Sequence, residues 1–225
     1  AKIGMKDYAR LYTARAAQLA KTIQKKYWDA VRGLYADREE KDSFSQHTNS
    51  LAILSGLISG KEAPAIAKKL VSDTSLTPAS IYFKYYLHQA LIKAGLGDDY
   101  LNWLDIWKEN IKMGLTTWAE TSDVSTTRSD CHAWGSSPNI EFYRTILGID
   151  SDAPGFARVK IQPHLGMLNQ VSGEMPHPQG KIQVEYRNTE GKWNMKINLP
   201  KSVSGSFIWK GKSYKLKQGK NLIKV

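Results

Sequence analysis

The 225-residue sequence predicts an α + β chain in two parts: helical hairpins over residues 1–150, then a small antiparallel β-sandwich over residues 151–225. Three observations predict it. Apolar residues recur every three or four positions up to about Gly148 and alternate from about Phe156. Charge changes at the same place: residues 1–150 carry 19 Lys and Arg against 17 Asp and Glu, and residues 151–225 carry 13 against 4. Between the two parts, Asp150-Ser151-Asp152-Ala153-Pro154-Gly155 has the composition of a boundary.

The helical part divides into six helices. Tyr8, Leu11, Tyr12, Ala16, Leu19, Ile23 and Tyr27 mark the first, over about 5–27. Residues 28–42 carry a Gly33 turn and many charges and read as a loop. Ser43-Phe44-Ser45-Gln46 fits a capping box and opens a helix with Leu51, Leu54 and Ile58 inward, stopped by Gly60. A short helix from Lys61 follows, with Ile66 and Leu70 inward. Thr77-Pro78 is a cap with proline at the first helical position. Its helix, 79–94, is apolar on nearly all sides and belongs in an inner layer, with Gly95 as its stop. Asp98 caps a helix bearing Tyr100, Leu104, Trp107 and Ile111. Ser137-Pro138 opens the last one, with Ile140, Tyr143 and Leu147 inward, and Gly148 closes it. Six helices on short connections pair as hairpins, which stack into a superhelix or a ring.

The tail alternates. Strands are expected at 158–161, 181–186, 192–199, 206–209 and 214–216, with turns at Asn188–Gly191 and at Lys210-Gly211-Lys212. Trp193, Trp209 and Tyr214 at alternating positions read as core ahead of sugar platforms.

Bulk properties bound the function. Apolar residues make up 41% of the chain, enough for a buried core, and no run of 18 apolar residues would span a membrane. Lys2 has no apolar signal region behind it and the chain has no initiator Met, as in a processed or trimmed chain. Cys131 is the only cysteine, which excludes a disulfide framework and a cysteine-based metal site. No metal or cofactor is expected. The net charge of +11 fits a solvated Lys-rich β surface, or affinity for an acidic polymer. No nucleic-acid motif is visible, and an acidic polysaccharide fits equally well.

The segment Gly114–Ser137 is far longer than a connection needs, and long ordered loops tend to be functional. It concentrates what a sugar site requires. Trp118 and Trp134 offer flat apolar faces to a pyranose. Arg128, Asp130 and His132 offer directional hydrogen bonds to hydroxyls. Glu120, beside Trp118 and Ala119, offers a carboxylate placed to act as a base. Each residue alone has an ordinary reading: a solvated Glu, a His satisfying a carbonyl, an Arg–Asp ion pair. Their density in one loop favours the site.

Thr116-Thr117-Trp118-Ala119-Glu120 followed by Arg128-Ser129-Asp130-Cys131-His132-Ala133-Trp134 resembles the α-L-rhamnosidases of glycoside hydrolase family 78. Gly33-Leu34-Tyr35 with Ser45-Gln46-His47-Thr48-Asn49 resembles that family's helix entry, and Val159-Lys160-Ile161-Gln162-Pro163 the start of its C-terminal sandwich. The resemblance implies the second half of an (α/α)6 toroid followed by a β-sandwich. It implies an inverting hydrolase that releases terminal α-L-rhamnose from plant or microbial glycans, with Glu120 as general base and His132 on the sugar. Trp134, Trp118, Arg128 and Asp130 complete the expected substrate contacts, and the partner is a carbohydrate, neither nucleic acid nor membrane. It also favours a periplasmic or secreted setting. The family's general acid falls upstream, and no segment here matches it, so the chain alone is expected to be inactive. Trp118-Ala119 departs from members with Trp directly before the Glu, which bears on the subsite's shape. Inversion needs two carboxyls roughly 6.5–9.5 Å apart, and Asp123 and Asp130 are the local substitutes for the acid. The alternatives are another six-hairpin glycosidase, a polysaccharide lyase that uses His132 and Arg128, or a non-catalytic carbohydrate-binding module.

Overall fold

The computed structural model describes residues 4–225, so the reading at Lys2 lies outside the described residues. The chain forms two compact units, residues 1–96 and 97–225.

In the first unit, α1 (Lys6–Tyr27) is the expected first helix, yet none of its residues is buried. Residues 28–42 are not the plain loop expected. Two short strands, β1 (Trp28–Asp29) and β2 (Leu34–Tyr35), pair as a hairpin, and Asp29 Oδ1 accepts the Arg32 N–H at 2.8 Å across its turn. The charges that suggested a loop are drawn outward into ion pairs, Arg32 with Asp73 and Arg38 with Asp42. That leaves Leu34, Tyr35 and Ala36 fully buried.

α2 (Gln46–Ser55) corrects the expected capping box. Its N-cap is Ser45, whose Oγ accepts the Thr48 N–H at 3.3 Å and donates to Asp37 at 2.6 Å. The Gln46 amide is committed elsewhere: Nε2 donates to the Leu70 carbonyl, and Oε1 accepts the Ala79 N–H, both at 2.7 Å. The inward face is also rotated. Asn49, Ser50, Ala52 and Ile53 are buried, and Leu51 is 49% exposed. Asn49 turns inward because its amide bonds the Tyr35 N–H and C=O, each at 2.9 Å, and this swings Leu51 out. The helix stops at Gly56 (φ 84°), not at Gly60, and Ile58 is buried beyond its end.

α3 (Glu62–Ser72) buries Ile66 and Leu70 as expected. Thr77 is not a helix cap. Its backbone bridges to Ser45, with Gln46 N–H on its carbonyl and its own N–H on the Phe44 carbonyl, both at 3.0 Å. With that peptide held in a ladder, α4 begins only at Lys84 and runs to Leu91, closing in a π-type turn at Ile92–Leu96 with Gly95 at φ 92°. Leu87, His88, Ala90 and Leu91 are buried. Tyr82 is exposed and Tyr85 and Tyr86 are half-buried, so this segment is not buried on all sides.

The second unit opens with a 3-10 segment at Gly97–Trp103 where an Asp98-capped helix was expected, then α5 (Asp105–Lys112). Tyr100, Leu104 and Trp107 are buried, and Ile111 faces out. After the long loop, α6 (Ser137–Glu141) begins with Pro138 in its first turn and passes into a π-type turn at Phe142–Ile146. Leu147 is buried, while Ile140 and Tyr143 are exposed.

The strands are β3 (Ile149–Ser151), β4 (Arg158–Ile161), β5 (Gln170–His177), β6 (Gly180–Thr189), β7 (Lys192–Leu199), β8 (Ser204–Trp209), β9 (Lys212–Leu216) and β10 (Gly219–Lys224). They form two four-stranded sheets, β10-β7-β6-β5 and β3-β4-β8-β9. The first is antiparallel throughout; in the second, β4 and β8 run parallel, against the expectation of a wholly antiparallel sandwich. Three strands escaped the sequence pattern. β5 carries Gly173 and Pro176, which mask alternation, and the proline is tolerated because β5 is an edge strand. β3 has only three residues, and in β10 the adjacent apolar pair Leu222-Ile223 breaks the alternation. β6 also runs on to Thr189, past the expected turn at Asn188. Ile161, Ile182, Tyr186, Ile197 and Phe207 meet at the centre of the core, with Trp193, Trp209 and Tyr214 packed partly buried against it. Tyr186 satisfies its buried hydroxyl by donating to the Leu147 carbonyl at 2.8 Å.

Candidate active site

The loop after α5 is folded on itself. Its exit is fixed where the Leu115 N–H reaches the Asn110 carbonyl at 3.1 Å. Two arms then face each other: the Glu120 N–H donates to the Ser129 carbonyl and the His132 N–H to the Trp118 carbonyl, both at 2.9 Å. The Thr117 hydroxyl donates to the Asp130 carbonyl. Between the arms, Asp123 organises a tight turn, accepting from Ser125 N–H at 3.0 Å, Ser125 Oγ at 2.6 Å and Thr126 Oγ at 3.0 Å. The base of the loop is anchored in the interior. Ala119 is fully buried, and Trp107 Nε1 donates to the Gly135 carbonyl at 2.6 Å. Gly135 has to be glycine, because a Cβ there would sit 2.7 Å from Cβ of Trp118.

This folding brings Glu120, Arg128, His132 and Trp134 together. The Glu120 side chain is only 11% exposed, and Arg128 grips both its oxygens: Nε donates to Oε2 at 3.0 Å and the terminal amino group to Oε1. His132 Nε2 lies 3.9 Å from Oε1. The rings of His132 and Trp134 lie 4.6 Å apart, tilted by 32°, and Trp134 Nε1 donates to the Glu120 carbonyl at 3.3 Å. The Arg128 hydrogen bond holds the Glu120 carboxyl below the usual carboxylate range, against the opposing pull of partial burial. Glu120 is therefore an anion at neutral pH, beside an imidazole and an exposed indole. Such a set can accept a proton from water while an adjacent sugar lies on the aromatic surface.

Two expected contacts stand apart. Trp118 is half-buried and serves the scaffold through its carbonyl and its contact with Gly135. Asp130 joins the loop through its backbone carbonyl, and its carboxylate makes no ion pair among the described residues. Asp123 is held below the usual carboxylate range by Ser125, the reverse of what a general acid needs. Among the described residues no group of three or more His, Cys, Asp or Glu is arranged to hold a metal.

Sequence reasoning passed over the supports of this loop. Trp107 was read only as a core residue, and its indole holds the far end of the loop. Below the loop's exit into α6, the Glu141 carboxylate is fully buried, accepting from Arg144 and from Thr145 Oγ at 2.7 Å. The i, i+3, i+4 spacing of these three was the available signal.

Residues 1–146 match the model of the bacterial α-L-rhamnosidase six-hairpin glycosidase domain, and residues 148–223 that of the bacterial α-L-rhamnosidase C-terminal domain. An α-L-rhamnosidase of Alteromonas sp. (strain LOR) is 24% identical over 92% of this chain, which spans 24% of that relative's length. A family 78 rhamnosidase of Bacillus sp. GL1 superposes with a TM-score of 0.82 at 27% identity, covering 91% of this chain and 24% of that one. An α-L-rhamnosidase from Aspergillus terreus shares the fold at TM-score 0.83 and 21% identity, over 100% of this chain and 28% of that one. An α-L-rhamnosidase of Streptomyces avermitilis, solved with L-rhamnose, shares it at TM-score 0.78 and 18% identity, covering 96% of this chain and 24% of that one. A chain that joins part of a six-hairpin glycosidase domain to the matching C-terminal domain belongs to the bacterial α-L-rhamnosidase family.

Proposed function

We propose that this chain supplies the general-base side of an inverting α-L-rhamnosidase that releases terminal rhamnose from glycans. The observation that carries the reading is the Glu120 carboxylate, nearly enclosed, held ionised by Arg128 and flanked by His132 and Trp134. In this role Glu120 removes a proton from water as the water's oxygen attacks the anomeric carbon. The glycosidic C–O bond breaks on the opposite face, and an acid protonates the departing oxygen. His132 and Trp134 position the sugar. Arg128 keeps the base charged, and with 85% of its side chain exposed its guanidinium N–H groups not used by Glu120 can donate to a sugar hydroxyl.

The acid belongs, on this reading, to a segment upstream of residue 1, and the chain by itself does not turn over rhamnosides. Three considerations support this: the chain spans about a quarter of the relatives it matches, its helical part matches the six-hairpin domain over only residues 1–146, and Asp123 is tied into its own turn. On the same reading the catalytic helices give way to the accessory sandwich near residue 150, where β3 (Ile149–Ser151) pairs with β4. Between these two strands the chain turns at Pro154–Phe156 with Gly155 at φ 67°.

The test is Glu120→Gln in a chain joined to its upstream half. Turnover of an aryl α-L-rhamnoside should fall by roughly 10²–10⁴, the span for loss of a general acid or base. Near-normal turnover rejects the assignment.

A further inference from the structure

The outward face of the β10-β7-β6-β5 sheet gathers cations in a defined pattern. Alternation buries Ile182, Val184 and Tyr186 of β6, so Lys181, Gln183, Glu185 and Arg187 project the other way. Cross-strand register extends that face into rows. One row reads Lys220, Asn198, Gln183, Glu174, and the next Leu222, Lys196, Glu185, Ser172. The third reads Lys224, Asn194, Arg187, Gln170, with Lys192 two residues before Asn194 on β7.

The two carboxylates of this face are already engaged. Glu174 accepts from Lys181 and from Gln183 Nε2 at 3.2 Å, and Glu185 accepts from Lys196 at 3.0 Å. Asn198 Nδ2 completes an amide ladder by donating to Gln183 Oε1 at 3.0 Å. Arg187, Lys192, Lys220 and Lys224 make no ion pair among the described residues. Three of these four lie in or beside the third row, which has amides between its cations and no carboxylate. Glu190, in the turn joining β6 and β7, is the nearest further acid in sequence, and it too makes no ion pair among the described residues. Solvated surfaces intersperse the two signs; here the unpaired cations are segregated. A shallow hollow of about 690 Å³ lies over the first two rows, where Lys196 and Lys220 share its lining with Glu174 and Glu185, and it does not reach the third row.

The geometry points to a docking surface for an acidic polysaccharide, whose uronate carboxylates meet Lys224, Arg187 and Lys192 while its hydroxyls meet the amides of Asn194 and Gln170. Cations supply attraction to a polyanion, and amides supply both donors and acceptors to hydroxyls. The three rows contain no aromatic side chain, so they offer single-stranded nucleic acid no stacking platform. The choice of a glycan over other polyanions rests also on the rhamnosidase reading; the charge argument does not, and Glu120 takes no part in it.

The experiment measures binding of the whole chain to immobilised polygalacturonate, to a neutral galactan and to an oligo-dT strand of equal charge. Polygalacturonate should bind, more weakly as salt rises, and the galactan should not. The triple variant Arg187→Gln, Lys192→Gln, Lys224→Gln should lose about tenfold or more in affinity. The variant Lys210→Gln, Lys212→Gln, Lys215→Gln removes the same charge from the other sheet and should stay within about twofold. Equal losses in the two variants, oligo-dT binding as tight as polygalacturonate, or no binding to polygalacturonate would each overturn the proposal. Glu120→Gln should bind polygalacturonate normally. If that variant also keeps turnover in the restored enzyme, the rhamnosidase reading fails while the docking surface stands.

Discussion

Glu120 owes its character to one neighbour. A carboxylate with so little exposure would ordinarily be pushed toward protonation, and the forked guanidinium of Arg128 more than reverses this. In the proposed role of general base Glu120 works only when ionised, so activity should be lost as pH falls through the Glu120 pKa. Because that pKa lies below the ordinary 4.5, the acid limb of the rate profile in a restored enzyme should lie below it as well. Arg128→Gln removes the cause that lowers it and leaves partial burial, which raises it. The acid limb of kcat should then move to higher pH, and a profile that stays in place would mean Arg128 does not set the base. His132 should separate from Glu120 kinetically. Base removal should lower kcat with little change in sugar affinity, because the proton transfer develops in the transition state. His132→Ala should mainly weaken binding of rhamnose, read as a rise in its inhibition constant.

Among the elements, β4 and β8 approach closely where Gly205 faces Val159. A Cβ at Gly205 would lie 1.9 Å from the Val159 carbonyl oxygen, which is backbone and has no flexible end to yield. Gly205→Ala should therefore destabilise the chain by about 1–3 kcal/mol, the cost of overpacking, or prevent the sheet from closing. Urea unfolding followed by tryptophan fluorescence would measure it, with exposed Ser213→Ala on β9 expected to stay within about 0.5 kcal/mol. An unchanged midpoint in Gly205→Ala would mean the two strands can part without cost. The loop that carries Glu120 shows the same logic at lower stringency: Trp107 and Gly135 set its base, and the arms above are held by backbone bonds and by polar groups near the surface.

For the molecule as a whole, the telling feature is apolar surface on the helices. α1 is amphipathic in sequence, yet Tyr8, Leu11, Tyr12 and Leu19 are all exposed, Tyr12 by 60% and Leu19 by 61%. Tyr82 of the segment before α4 is exposed as well. Stripes of this kind mark surfaces that associate. The purified chain should self-associate, or enhance the fluorescence of a dye that reports apolar surface. Tyr12→Lys with Leu19→Lys should reduce both effects. A monodisperse monomer that leaves the dye dark would contradict this.

The sequence by itself determined the class of fold and singled out the loop proposed as the site. Periodicity placed α1, α2 and α3 and five of the eight strands of the second part, but it set α4 too early, and Leu51, Ile111, Ile140 and Tyr143, expected inward, are exposed. The loop that carries Glu120, Arg128, His132 and Trp134 was legible because its residue types are concentrated within 17 positions. Tertiary structure decided what local pattern cannot encode. The Asn49 amide reached the Tyr35 backbone and so rotated α2; Gln46 left its expected capping role to bond Leu70 and Ala79; Thr77 became half of a backbone bridge. In each case a buried backbone group needed a partner, and the partner came from a residue distant in sequence. The parallel pairing of β4 with β8 arose the same way, whereas the grip of Arg128 on Glu120, eight residues apart, was set by how one loop folds on itself. Hydrogen-bond partners across long separations are chosen by the folded chain, and no periodicity announces them.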